Sequence, residues 1–81
     1  MADESKPVTA KDIVNDPQLI MGFMSEYVMI KDTSMMSSFK NMIEAINIFG
    51  EYGWETVSMS IDASSTMFAL IRNTNYKRKH H

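Results

Sequence analysis

Gly53 closes a run with helical periodicity and is followed at once by Trp54-Glu55-Thr56-Val57, so the stretch Gly50 to Val57 must end a helix and begin a strand in one step. Glycine just past a helix takes the left-handed backbone without steric cost, and the residue after it packs on the last helical turn. Counting back from Gly53 sets Trp54 over Phe49 and gives the indole a structural task.

The helix before this hinge is expected from about Met35 to Tyr52. Its stripe Met35, Phe39, Met42, Ile43, Ile46 and Phe49 follows three- and four-residue steps, and Thr33, Ser34 or Ser37 is the candidate cap. Ala45, Ile48 and Tyr52 lie beside that stripe and widen it or mark a second contact. After the hinge, Val57, Met59 and Ile61 alternate with Thr56, Ser58 and Ser60, which predicts a strand over 54–61 with one core face and one polar face. Asp62-Ala63-Ser64-Ser65 reads as a hairpin loop leading to a strand over 66–72.

Upstream, Tyr27-Val28-Met29-Ile30 predicts a strand over 26–31, closed by the turn chemistry of Asp32-Thr33-Ser34. Asp16-Pro17 opens a short amphipathic helix to about Ser25, with Leu19, Ile20, Phe23 and Met24 at helical spacing. Thr9 and Asp12 have the form of a capping box for a helical turn ending near Asn15. The expected fold class is α+β: a short N-terminal helix, then β-α-β-β with one main helix on a three-stranded mixed sheet. The last strand is expected between the other two, because it is apolar on both faces. Residues 1–15 are expected as a mobile lead-in outside the core, 16–76 as one domain and 77–81 as a basic tail in which His80 and His81 could be a tag remnant.

Ile46-Asn47-Ile48-Phe49-Gly50 followed by Gly53-Trp54-Glu55-Thr56-Val57-Ser58 resembles the small bacterial and phage domain-of-unknown-function family 4177, over roughly residues 26–79. That pattern is a strand, a helix ending Leu-Asn-x-x-Gly, then Gly-Trp-Glu-x-Val and a hairpin with a basic tail, and Ile46 stands where leucine is usual. The resemblance implies a strand-helix-strand-strand domain that oligomerises, with no established activity. The same element order occurs in dodecins, which stack flavin on a tryptophan, an analogy of fold alone.

Composition narrows the function. There is no cysteine, no histidine outside the tail, no glycine-rich phosphate loop and no metal-ligand spacing, so no catalytic residue, metal or cofactor is expected. Asp32 and Asp62 read as turn residues, and Glu55 as an ion-pair partner for Lys31 or Arg72. Nine methionines read chiefly as core filler, with Met29, Met42, Met59 and Met67 at core parity. A net charge of −2 argues against nucleic acid, with Lys77, Arg78 and Lys79 the only candidate phosphate contacts. No apolar run is long enough to span a membrane, and the chain reads as cytoplasmic.

A chain of 81 residues buries only about 60% of its unfolded surface, and small domains without disulfides or metals are often completed by self-association. The expectation is therefore a homo-oligomer, dimer or tetramer, acting as a non-enzymatic interaction module. Its interface is expected to use Tyr27, Val28, Ile30, Phe68 and Leu70. The alternative is a small-molecule binder with a site at the subunit interface near Trp54, Tyr52 and Glu55, and a second is a nucleic-acid accessory protein using the tail.

Overall fold

The computed structural model describes residues 8–33 and 39–77. The expected α+β class is observed, with a fourth strand added at the front. In chain order the elements are β1 (Val8–Thr9), α1 (Ala10–Asn15), a 3-10 helix (Pro17–Gly22), β2 (Tyr27–Asp32), α2 (Lys40–Glu51), β3 (Trp54–Ile61) and β4 (Met67–Asn73). The sheet order is β1-β2-β4-β3. β1 runs parallel to β2, while β4 is antiparallel to both β2 and β3, so the last strand does lie between the other two.

Residues 8–15 are not a lead-in. Thr9 caps α1 by a reciprocal box in which its Oγ1 accepts from the Asp12 N–H at 3.1 Å and the Asp12 carboxylate accepts from the Thr9 N–H at 3.4 Å. The helix so started places Ala10 and Ile13 in the core with no exposed surface. Two apolar residues one turn apart suffice to anchor a six-residue helix once Val8 and Thr9 pair with Ile30 and Lys31.

The Pro17 segment forms a 3-10 helix ending at Gly22, not an α-helix reaching Ser25. With three residues per turn, Ile20 and Phe23 fall one above the other and turn inward, and Met24 is left 86% exposed. Phe23 meets both Phe49 and Trp54. This segment therefore packs on the same side of the sheet as α2, not on the opposite one.

Helix α2 runs over Lys40–Glu51 with Phe39 before it; of the expected starts, Thr33 does not cap it, and Ser34 and Ser37 lie outside the described residues. Phe39 has a left-handed backbone (φ 60°) and no side-chain cap. The cap comes from a distance. Asp32, the buried last residue of β2, accepts the Met42 N–H at 3.0 Å on its carboxylate. Asp32 is thus more than a turn residue, because a carboxylate at a helix N-terminus meets both an orphan N–H and the positive end of the helix dipole.

The inward side of α2 is Met42, Ala45 and Phe49, fully buried, with Ile46, Ile48 and Tyr52 packed beside them. Ile43 belongs to neither group and is 54% exposed, so the stripe is turned toward Ala45 relative to the sequence expectation. At its end the Tyr52 and Gly53 N–H groups bond the Phe49 and Gly50 carbonyls at 3.0 and 3.1 Å, tightening the last turn. Gly53 has φ +87°, the left-handed region that favours glycine; a Cβ there would also push aside the end of the exposed Asn75 side chain, 2.7 Å away. Its carbonyl accepts from both the N–H and the hydroxyl of Thr74, which ties the hinge to the end of β4.

Trp54 is buried and packs edge-on against Phe49, ring centroids 5.4 Å apart, as the hinge requires. Beyond it β3 has the expected bounds, but its expected core face is not buried. A β-bulge between Thr56 and Ser58 shifts the register by one residue, so Trp54 and Thr56 lie on the same side as Met59 and Ile61. Val57, Met59 and Ile61 are 49%, 45% and 57% exposed instead of core, because this part of the hairpin extends past the helices.

The hairpin turn is held by Asp62, whose Oδ1 accepts from the Ser64 hydroxyl at 2.7 Å and from the N–H groups of Ser64 and Thr66. The bond from Ser64 and those from the two backbone groups hold the Asp62 carboxyl below its ordinary 3.8. A depressed carboxylate contributes stability that is complete above the unfolded value and fades as pH falls through the folded one. The expected result is that the NMR shifts of Ser64 and Thr66 move together in acid, with a midpoint below the ordinary 3.8 of an aspartate.

Candidate interaction surface

Residues paired across a sheet share a face, so the register defines both faces of this one. Val28, Ile30 and Asp32 of β2, with Met67, Ala69 and Ile71 of β4, point to the helices. The other face carries three rows read across β2, β4 and β3: Tyr27, Arg72 and Glu55; Met29, Leu70 and Ser58; Lys31, Phe68 and Ser60. No helix or strand among the described residues covers this face.

The open face has an apolar centre and a polar border. Tyr27 and Met29 are 42% and 44% exposed, and Leu70 and Phe68 are half-buried beside them. At one end Arg72 donates to Glu26 at 3.0 Å and to Glu55 at 3.4 Å. These two carboxylates, Glu26 foremost, hold the guanidinium even more firmly protonated than usual. With two glutamates about one arginine, that end is net negative, and Lys31 makes the far end positive.

The expected interface residues thus divide. Tyr27, Phe68 and Leu70 are brought together on the open face. Val28 and Ile30 turn to the helices, and Ile30 has no exposed surface, so neither can meet a partner through that face. Met29, placed at core parity by the sequence reading, belongs to the open face instead. The signal for it was the strict alternation of Tyr27 and Met29 against Val28 and Ile30.

Of the residues expected near a ligand, Trp54 is only 6% exposed and enclosed by Phe23 and Phe49, which leaves no open ring face for stacking. Tyr52 is half-buried against the core, and Glu55 pairs with Arg72 on the opposite face of the sheet from Trp54. The three expected ligand residues therefore do not converge. Asp32 and Asp62 are each committed to backbone N–H groups. Among the described residues no cluster of three His, Asp or Glu could hold a metal ion, and no helix is long and apolar enough to cross a membrane. Lys77 is exposed, while Arg78 and Lys79 lie outside the described residues. No protein family, no curated protein and no solved structure matches this chain.

Proposed function

We propose that this chain is a non-enzymatic, self-associating assembly module of the cytoplasm that covers the open face of its sheet with a second copy. The observation that supports it is the apolar patch of Tyr27, Met29, Leu70 and Phe68, bordered by charge of opposite sign at its two ends. A twofold axis lying in the face and running across the strands sets the Lys31 end of one copy over the Glu26 and Glu55 end of the other, so that with this axis the two faces are complementary in charge as well as apolar. An apolar centre within a polar rim is also the usual anatomy of a protein interface.

Leu70 is the middle residue of the nine, and glutamate there puts two desolvated like charges near the centre of the contact. Leu70→Glu is expected to break the face-to-face contact and so lower the native mass, while the far-ultraviolet circular dichroism is retained. An unchanged oligomer mass from a folded Leu70→Glu variant contradicts the reading.

A further inference from the structure

The outer edge of β3 has a composition that sheet edges normally avoid. β3 ends the strand order, so one row of its N–H and C=O groups has no partner strand among the described residues. Between Thr56 and Ile61 there is no charge and no proline, the devices that usually keep such a row from recruiting another strand. The question is which strand it takes.

Backbone geometry fixes which groups are offered. The Asp62 N–H bonds the Thr66 carbonyl inside the hairpin. Counting back along an antiparallel ladder, Ser60 and Ser58 also point their backbone groups at β4, so Met59 and Ile61 point theirs outward. The bulge at Val57 interrupts the regular edge on the other side and limits slippage.

The side chains around that point are symmetric: Val57-Ser58-Met59-Ser60-Ile61 reads apolar, serine, apolar, serine, apolar in both directions. A twofold axis perpendicular to a continuous sheet matches face to face only when it passes through a residue. Through Met59 it sets Ser58 opposite Ser60 of the second copy and Val57 opposite Ile61, with Met59 opposite itself. On the regular stretch beyond the bulge Met59 then meets Met59 and each Ser58 meets a Ser60, and Met59 both donates to and accepts from its counterpart in the second copy.

We infer that two copies of this chain join their sheets edge to edge through antiparallel β3 strands, centred on Met59. This inference rests on the self-association proposed above and assigns it a second surface. The two joined sheets present their open faces side by side, so edge pairing and face stacking are compatible within one tetramer.

Cysteine cross-linking of the full chain tests the register. The chain has no native cysteine to interfere. A hydrogen-bonded antiparallel pair brings Cα atoms to about 5.5 Å, within reach of a disulfide. Met59→Cys with oxidised glutathione is expected to give a covalent dimer on non-reducing gels. Thr56→Cys, whose two copies would stand about 20 Å apart, is expected to give none. The Met59→Cys link should also survive in the Leu70→Glu background.

Failure of Met59→Cys to link, or linking at Thr56 as fast as at Met59, overturns the edge pairing. If the chain remains an oligomer that Leu70→Glu dissociates while Met59→Cys does not link, the edge inference falls and the face reading stands. If the unmodified chain has the mass of a single copy and Met59→Cys does not link, both fall.

Discussion

Replacing Trp54 by alanine should lower the unfolding free energy by about 3–5 kcal/mol, the usual cost of deleting a large buried aromatic side chain. A domain of this size has only about 4–12 kcal/mol in all, so the variant should unfold at much lower urea or not fold at 25 °C. The reason is local. Trp54 stands at the junction where α2 ends, β3 begins and the 3-10 helix is attached through Phe23, and its ring meets Phe49 at 5.4 Å and Phe23 at 6.1 Å. Trp54→Phe keeps an aromatic contact at the same place and should recover part of the loss. Urea unfolding followed by circular dichroism measures both variants. A Trp54→Ala midpoint equal to that of the unmodified chain contradicts this account, and is the result expected of a tryptophan held ready at an open ligand site.

The second large effect belongs to Asp32. Asp32→Ala leaves the Met42 N–H at the start of α2 without its carboxylate acceptor in a buried setting, at a cost of about 2 kcal/mol. Asp32→Asn retains an oxygen acceptor but loses the charge that faces the helix dipole, so it should fall between the two. Amide exchange in the first turn of α2 reports the change directly, with Met42 losing protection first. Equal protection of Met42 in the parent chain and Asp32→Ala would mean that the carboxylate does not cap the helix.

These two residues also show what one-dimensional reading reaches. The contact of Trp54 with Phe49 is legible because it spans five positions and is dictated by a cap with known geometry, signalled by Gly53. The Thr9 and Asp12 box and the Asp62 hairpin turn are legible for the same reason, since their partners lie within four residues. The bond from Met42 to Asp32 spans ten residues and exists only after β2 and α2 are placed, so nothing in the local pattern signals it.

The errors in β3 have another cause. Alternation of Val57, Met59 and Ile61 shows that they share a strand pattern, but burial depends on how far the helix layer extends. Here the layer covers Trp54 and stops short of the hairpin end. The bulge then moves Glu55 to the face opposite Met59, a shift that a strict period of two cannot register. β1 escaped notice because two residues have no period at all; its evidence is only the pairing of Val8 and Thr9 with β2.

For the open face, the sequence supplied the parity and the structure decided which parity is covered. Tyr27 and Met29 could have faced the helices and Val28 and Ile30 the outside. Ile30 settles it, because it is fully buried among Ile13, Met42 and Ala69 in the common core. Among the described residues the 3-10 helix was the candidate for protecting the other side, and Phe23 commits it to the side of Trp54.

The central claim is that this face is covered by a second copy, and native mass spectrometry of the untagged chain tests it most directly. The expected result is a defined dimer or tetramer of the 9.3 kDa chain with no added mass. A single-chain mass at micromolar concentration, well above the dissociation constant of a stable homodimer, would contradict it.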